Sequence, residues 1–364
     1  MTQTNTVLIV SDRPQLAALL ARAVENVVAC RCIEPGASLP AALPAVAVVD
    51  VSRNATLARA WVARLHASRI ATLQLTNQAA AIGRTVSATR TLRADAPRTV
   101  VLATLFNLID SRRTGERPVP GEPSVPSAAT AARAESLARV ADAMVTRVFE
   151  AAGAGRALTP AETDAGTEVI LEAVSECGIR TWLEAIERHD QQLYQHSLSV
   201  AGYAAAFGTG LGLPRADRMR LARAALLHDL GKARIPLEIL NKPGRLTPAE
   251  MAVMQTHPAI GADLLRDQEG FDAQTLQVVR HHHEMLDGSG YPDGLAGAAI
   301  PDLVRLVTIC DIHSALTERR PYRDPLPHRE AHALMLDMVP RLDADLLRAF
   351  ERLVLQAIPD AAVA

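Results

Sequence analysis

The chain has 364 residues, which is enough for two or three domains with substantial hydrophobic cores. Its 38 basic and 40 acidic residues give a formal net charge of -2, which excludes binding to DNA or to a membrane through an overall positive charge. Only Lys232 and Lys242 are lysines, which leaves 36 of the 38 basic residues as arginines. Any charged ligand must therefore be bound locally, by a few side chains.

The four cysteines show no paired spacing, so neither a disulfide framework nor a cysteine-based zinc site is predicted; they are Cys30, Cys32, Cys177 and Cys310. The first residues lack the basic start, apolar core and small-residue cleavage site of a signal peptide. No run of about 18 apolar residues, the length that spans a membrane, is present. We therefore expect a cytoplasmic protein with free thiols and no membrane span.

In chain order, the first 113 residues alternate short apolar runs with segments of helical periodicity. Strands are predicted at 6–10, 45–49, 71–76 and 90–94, and helices at 14–28, 54–67 and 97–111. This alternation predicts an α/β domain with a parallel sheet over residues 1–113. The carboxyl ends of parallel strands usually carry the functional site, and here they present Asp12, Asp50 and Thr76.

The rest of the chain is predicted to be helical. Four prolines, interspersed with glycine, serine and charged residues, indicate an extended linker, which we place at 114–130. Residues 131–184 are predicted to form a helical connector, in which Thr159 precedes a proline and an acidic first turn. Residues 185–364 lack the alternation of strands, so we expect an all-α helical bundle there.

The N-terminal segment resembles a response-regulator receiver domain in the placement of its acidic residues. The resemblance implies a magnesium site after the first strand and phosphoryl transfer to Asp50, which holds the acceptor position. Ser11 replaces one of the usual acidic residues, and no lysine precedes residue 232, so Arg93 would have to stand in for the expected lysine. Two interpretations stay open, namely a receiver-like fold kept for dimerisation or docking, and a working phosphoacceptor.

Histidines concentrate in the helical part of the chain, where ten of the eleven lie at or after His189. The run 226–232 is predicted to be a continuous helix that presents Lys232 on the same face as His228 and Asp229. Further candidates for metal or acid–base chemistry are His196, His257, His281, His282, His283, Glu284 and Asp311. Imidazoles and carboxylates together suit iron, manganese, zinc or cobalt, and a bridging carboxylate favours a binuclear site. Each histidine alone would more often be an ordinary hydrogen-bonded residue, so the metal hypothesis depends on their joint occurrence.

A glycine-rich loop at 287–294 and an arginine cluster at 317–323 follow these histidines. In the loop, Gly290 would let the backbone approach a ligand closely, and Tyr291 could stack on a base or donate to a phosphate. The cluster contains guanidinium groups that suit bidentate contacts with phosphate. In isolation, a double turn and a solvated basic turn would account for the same residues.

Taken together, these motifs resemble the HD-GYP family. The ordered set is His196, HDLGK at 228–232, KPGRLT at 242–247, His257, HHE at 282–284, DGSGYP at 287–292, Asp311 and ALTERRPYR at 315–323, and it covers roughly residues 185–325. The family is a branch of the HD-domain metal-dependent phosphohydrolases, in which helices surround a centre of two or three metals. The resemblance implies hydrolysis of cyclic di-GMP to the linear dinucleotide pGpG or to GMP.

Carried over by position, the resemblance implies a metal centre. The first metal would be held by His196, His228, Asp229 and Asp311, and the second by Asp229 with His257, His282 and His283, while His281 would not be a ligand. We expect two divalent ions, iron or manganese, because Gln192 replaces the glutamate that accompanies a third metal. Ser314 stands where the family often has an aspartate, which changes the hydrogen bonding expected around the ligands.

The resemblance also implies roles in catalysis. A hydroxide that bridges the two ions would attack phosphorus, with Asp229 as the bridging ligand and Lys232 as a stabiliser of the phosphate charge. The substrate would be bound by Gly290, Tyr291, Pro292, Arg320 and Arg323.

Two alternatives to a cyclic di-GMP phosphodiesterase stay open. One is a cyclic-dinucleotide sensor or protein-interaction module with little turnover, and the other is a phosphohydrolase for a hybrid cyclic dinucleotide. Besides cyclic di-GMP, the expected partners are a second copy of the chain and a sensor kinase or a diguanylate cyclase. We expect the receiver-like domain to regulate the metal site through the helix near 131–152.

Overall fold

A computed structural model of the chain describes residues 3–25, 28–77, 89–96, 126–188, 192–319 and 324–358, and residues 101–109 apart from 103 and 107. The chain divides into two compact units, an N-terminal α/β unit and a helical unit. The predicted fold class, a parallel α/β domain followed by a helical domain, is confirmed. Among the described residues, no helix is both long and apolar enough to cross a membrane.

The N-terminal unit is built on a five-stranded parallel sheet. Its strands are β1 (Gln3–Ser11), β2 (Ala29–Ile33), β3 (Leu43–Asp50), β4 (Ala71–Thr76) and β5 (Thr89–Arg93), in the order β2-β1-β3-β4-β5. Helix α1 spans Pro14–Glu25 and helix α2 spans Ala55–Ala67. The register of β1 against β3 pairs Ser11 with Asp50, so the carboxyl ends of these neighbouring strands lie side by side. This sheet is of the kind that the receiver resemblance implies.

Strand β2 was not predicted from the sequence. It is a five-residue edge strand, ACRCI, with no fully buried position, so it lacks the apolar run that identifies β1, β3 and β4. The described residues between 101 and 109 are helical, as predicted. Of the helix predicted at 14–28, Pro14–Glu25 is helical and residue 28 is not, while residues 26 and 27 lie outside the described part of the chain.

The helical unit begins with two long helices, α3 (Ala128–Ala154) and α4 (Pro160–Ile186). It continues with α5 (Gln192–Gly210), α6 (Arg215–Leu227), α7 (Leu237–Leu240), α8 (Pro248–Met254), α9 (His257–Arg266), α10 (Ala273–His281), α11 (Asp302–Thr317), α12 (His328–Asp337) and α13 (Ala344–Leu353). Short 3-10 helices lie at Leu230–Arg234, Gly297–Ala299 and Leu355–Ala357. The core of the unit contains Trp182, Tyr203, Phe207 and Phe350.

The predicted start of α4 is confirmed by a reciprocal capping arrangement. The Thr159 side chain accepts a hydrogen bond from the backbone N–H of Glu162, and the Glu162 carboxylate accepts one from the backbone N–H of Thr159. These bonds satisfy backbone donors that have no partner within the helix.

The prediction that residues 226–232 form one continuous helix is wrong. Helix α6 ends at Leu227 with His228 as its C-cap, and Lys232 lies on the following 3-10 helix. The chain turns here because the backbone at Gly231 packs directly on the backbone of α9. A Cβ atom at Gly231 would collide with the carbonyl oxygen of His257 and would lie only 2.7 Å from the amide nitrogen of Gly261.

Candidate metal centre

Five helices bring the predicted metal ligands together in the helical unit. The ligands are His196 in α5, His228 and Asp229 at the end of α6, His257 at the start of α9, His282 and His283 at the end of α10, and Asp311 in α11. All are buried except His283, whose side chain is 24% exposed. Side chains at helix ends can converge from several directions, which a single helix face does not allow.

The ligand atoms form two groups. Those of His196, His228 and Asp311 lie within 4.8 Å of one another, and so do those of His257, His282 and His283. Each group could hold one metal ion, because imidazole nitrogens and carboxylate oxygens are ordinary ligands of divalent transition metals.

Asp229 lies between the two groups. Its Oδ2 atom is 3.4 Å from Nε2 of His228 and 3.7 Å from Nε2 of His196. Its Oδ1 atom is 3.2 Å from Nε2 of His257 and 3.9 Å from Nε2 of His282. Each carboxylate oxygen thus faces a different pair of histidines, which is the arrangement that a bridging ligand needs.

Three of these histidines are held in one tautomer by the backbone. The Nδ1 atom lies against a carbonyl oxygen three residues earlier, at 2.6 Å for His228, 2.8 Å for His257 and 2.9 Å for His282. A carbonyl only accepts hydrogen bonds, so Nδ1 carries the proton and Nε2 presents its lone pair to the centre.

These lone pairs fit a cation. Nε2 of His228 is buried without a hydrogen-bond partner, and the Nε2 atoms of His257 and His282 lie 3.3 Å apart. Two nitrogens that can only accept repel each other unless a positive group lies between or beside them. The donor set therefore suits divalent metal ions.

His196 is held by side chains. Its Nε2 atom lies 3.0 Å from Oδ1 of Asp311, and its Nδ1 atom lies 2.9 Å from Oε2 of Glu318. Burial alone would lower the pKa of His196, but the negative charges of Glu318 and Asp311 raise it to about 10.

Two carboxyl groups and two further imidazoles of the centre have pKa values that favour the states in which they can bind a metal. Burial alone would raise the pKa of Asp229 and of Asp311. Lys232 and the surrounding histidines hold the pKa of Asp229 well below its usual range, and the hydrogen bond from His196, with the other nearby histidines, does the same for Asp311. Burial lowers the pKa of His282 well below its usual value and that of His283 to about 4. At neutral pH the two carboxyl groups are therefore ionised and these two imidazoles are neutral, the states in which each can bind a metal.

Lys232 contacts the carboxylate of Asp229. Its Nζ atom lies 2.6 Å from Oδ2 of Asp229, and its side chain is 22% exposed. The ammonium group thus lies beside the centre, on a side chain that is partly exposed. Its predicted contact with a substrate phosphate stays a prediction.

The glycine-rich loop packs on the second group of histidines. The Tyr291 ring lies 4.7 Å from the His283 ring, and the Tyr291 N–H donates to the His283 carbonyl oxygen at 3.3 Å. A Cβ atom at Gly290 would collide with the backbone of residues 283–285, so only glycine permits this approach. The loop therefore places Tyr291 next to the second group of histidines.

Glu284 holds this loop, a role that the sequence did not reveal. The carboxylate is buried and accepts hydrogen bonds from the backbone N–H groups of Asp293 at 2.7 Å and Leu295 at 3.0 Å. His281, which was not expected to be a ligand, lies with its Nε2 atom 2.8 Å from Oδ2 of Asp293. In the run 281–284, His283 is thus a candidate metal ligand, whereas Glu284 supports the loop.

Some predicted residues lie outside the described part of the chain. Arg320 and Arg323 are not among the described residues, and neither is the side chain of Gln192. Their predicted roles in substrate binding and in limiting the centre to two metals stay predictions.

In the N-terminal unit, the predicted phosphoacceptor is engaged by an arginine. Asp50 is fully buried, and its Oδ2 atom accepts a hydrogen bond from the Ser11 hydroxyl at 2.7 Å. The Arg13 guanidinium also contacts both carboxylate oxygens, with Nε 3.0 Å from each. Arg93 pairs instead with the exposed Asp95, at 2.8 Å. The cation beside Asp50 is therefore Arg13, which the sequence analysis did not identify.

Comparisons with known proteins identify relatives of the helical unit. Residues 180–346 match the protein family described as HD domain. A cyclic di-GMP phosphodiesterase of Pseudomonas aeruginosa is 34% identical over 239 residues, which cover 64% of this chain and 58% of that protein. A 3'3'-cGAMP-specific phosphodiesterase of Vibrio cholerae is 36% identical over 191 residues, which cover 52% of this chain and 41% of that protein. The chain thus spans about half the length of these curated relatives.

Two further similarities concern a shorter segment and the fold. A cyclic di-GMP phosphodiesterase response regulator of Xanthomonas campestris is 47% identical over 115 residues, covering 31% of this chain and 30% of that protein. A solved structure of an HDG"Y"P protein from Bdellovibrio bacteriovorus superposes with a TM-score of 0.50 at 20% identity, covering 68% of this chain and 79% of that one. The structural similarity establishes a shared fold.

Proposed function

We propose that the protein is a metal-dependent phosphodiesterase for cyclic di-GMP, on the premise that residues 180–346, which match the HD domain family, form a domain of the HD-GYP type. The expected products are the linear dinucleotide pGpG, GMP or both. The observation that carries the proposal is the position of Asp229, whose two carboxylate oxygens face two separate groups of histidines.

Two divalent cations, iron or manganese, would occupy these groups. The first would be held by His196, His228, Asp229 and Asp311, and the second by Asp229, His257, His282 and His283. When bound, such a pair of cations supplies a nucleophile from water near neutral pH and offsets the negative charge of the phosphate.

The remaining side chains would bind and orient the substrate. The Lys232 ammonium, which pairs with Asp229, would also attract the phosphate and stabilise the negative charge that develops on the leaving oxygen. Tyr291, beside His283, would stack on a guanine base, with Gly290 and Pro292 shaping the loop. Arg320 and Arg323 would bind the distal phosphate through bidentate contacts.

A second candidate substrate is the hybrid dinucleotide 3'3'-cGAMP. It is favoured by the similarity to a Vibrio cholerae phosphodiesterase that is named as specific for it. Both substrates present the same phosphodiester chemistry to the metal centre, so the difference must lie in the contacts to the bases. Dimer formation, and docking of a sensor kinase or a diguanylate cyclase, remain predictions of the resemblance.

Product analysis distinguishes these functions. Purified protein is loaded anaerobically with Fe²⁺ or Mn²⁺ and incubated separately with cyclic di-GMP and 3'3'-cGAMP, and the nucleotides are separated by chromatography. We expect linear product from cyclic di-GMP at the higher rate. A higher rate with 3'3'-cGAMP would favour the second candidate. Saturable binding of cyclic di-GMP without any product would instead identify a sensor and reject the proposed activity.

A further inference from the structure

The hydrogen bond at Nδ1 of His196 differs from that of the other buried histidines in the centre. His228, His257 and His282 each place Nδ1 against a backbone carbonyl oxygen three residues earlier. Nδ1 of His196 lies instead 2.9 Å from a carboxylate oxygen of Glu318. The orientation of His196 therefore depends on a side chain that another helix supplies.

Helix α11 provides groups on both sides of the His196 ring. Asp311 lies 3.0 Å from Nε2, and Glu318, seven positions later at the C-cap of the same helix, lies at Nδ1. A separation of seven residues corresponds to two helical turns, so both carboxylates project from one side of α11. The ring is thus held between them.

Glu318 supplies the carboxylate at Nδ1 of His196 that the serine at position 314 does not provide. The Ser314 hydroxyl oxygen lies 3.4 Å from Nδ1 of His196, at the limit of a hydrogen bond. Ser314 and Glu318 are four positions apart on α11, and the backbone N–H of Glu318 donates to the Ser314 carbonyl oxygen at 2.9 Å. The carboxylate at Nδ1 therefore comes from Glu318, one turn further along the helix.

We propose that Glu318 is a positioning residue for the first metal site. Its carboxylate accepts the Nδ1 proton of His196, which fixes the orientation of the ring and leaves Nε2 as the nitrogen that faces Asp311 and the first metal site. A carboxylate at this place also makes the imidazole a stronger ligand. The proposal rests on the proposed function, since it assumes that His196 is a metal ligand.

The test measures metal binding separately from catalysis. Metal-free protein is titrated with Mn²⁺, and free Mn²⁺ is followed by its electron paramagnetic resonance signal. Three variants are compared with the wild type, namely Glu318→Ala, Glu318→Gln and the control Glu330→Ala, which removes an exposed glutamate on α12. Thermal melting of each metal-free variant reports on folding.

We expect the wild type and Glu330→Ala to bind two equivalents of Mn²⁺ alike. Glu318→Ala should bind one equivalent with unchanged affinity and the other about 10- to 100-fold more weakly, the usual effect of losing a partner of a metal-bound histidine. Glu318→Gln keeps an acceptor without the charge, so its affinity should lie between the two.

Two results would overturn the inference. One is wild-type affinity at both sites in both Glu318 variants. The other is equal weakening of both sites together with a lower melting temperature, which would indicate a general structural role. A wild-type protein that binds two Mn²⁺ but cleaves no cyclic dinucleotide would defeat the proposed function while leaving this comparison intact. A wild-type protein that binds fewer than two Mn²⁺ ions would contradict both the proposed function and the inference about Glu318.

Discussion

At the scale of single residues, Asp229 lies against every other group of side chains in the candidate centre. It faces both groups of histidines and also accepts a hydrogen bond from Lys232 at 2.6 Å. A neutral side chain of the same shape would keep the packing but would lose the negative charge that two bound cations would share. The carboxylate is therefore the most sensitive position for testing whether the centre is binuclear.

We expect Asp229→Asn to lower both metal content and hydrolysis. An amide is a poor bridging ligand, and the Lys232 ammonium would lose its carboxylate partner, so the hydrolysis rate should fall by roughly 100-fold or more. Elemental analysis and the product assay measure the two effects. Asp263→Asn, at an exposed aspartate that pairs with Arg266, is the matched control. Unchanged metal content and hydrolysis in Asp229→Asn would refute the ligand assignment.

At the scale of elements, the loop 287–294 depends on one buried carboxylate. Glu284 accepts two backbone N–H groups from the residues that follow Tyr291. Because Tyr291 contacts His283 through the same loop, a change at Glu284 should move the substrate contacts more than the metal ligands.

We expect Glu284→Gln to weaken substrate binding. The amide presents one acceptor and one donor, so one backbone N–H of the loop loses its partner, at a cost of about 1–3 kcal/mol. If this cost falls on substrate binding, KM should rise roughly tenfold while the number of bound metal ions stays unchanged. Steady-state kinetics and elemental analysis measure both quantities, and Glu269→Gln, at an exposed position, is the control. Loss of metal with an unchanged KM would contradict this account.

At the scale of the whole molecule, the question is whether the N-terminal unit receives a phosphorylation signal. Asp50 is fully buried, and its carboxylate is bound by Arg13 and Ser11. A phosphoryl group would have to displace the guanidinium and be accommodated in a buried site. This arrangement favours the interpretation of a receiver-like fold kept for dimerisation or docking.

We expect acetyl phosphate with Mg²⁺ to leave Asp50 unmodified in the full-length protein. Intact-mass measurement should show no added phosphate, and Asp50→Asn should hydrolyse cyclic di-GMP at the wild-type rate. Arg13→Ala tests whether the guanidinium is what keeps Asp50 unmodified, since its removal would leave the Asp50 carboxylate without this positive partner. Phosphorylation of the wild type that is lost in Asp50→Asn would establish a working acceptor instead.

The sequence by itself was sufficient for the fold class and for the family of the helical unit. Periodicity reports whether a segment is helix or strand, because each structure repeats its buried face at a characteristic spacing. The parallel sheet and the start of α4 at Pro160 followed from such local patterns. Motif order was likewise enough to select the candidate ligands, since it requires only the identity and spacing of residues.

Only the tertiary structure decided which atoms meet. Glu318 contacts His196 across 122 positions of sequence, and Arg13 contacts Asp50 across 37. The turn at Gly231 depends on the backbone of α9, and β2 forms because its backbone pairs with that of β1. Local propensity contains no information about such partners, because their contact energy arises only after distant segments have packed. The resemblance already implied that Asp229 serves both groups of histidines, but only the folded chain shows which carboxylate oxygen faces which group.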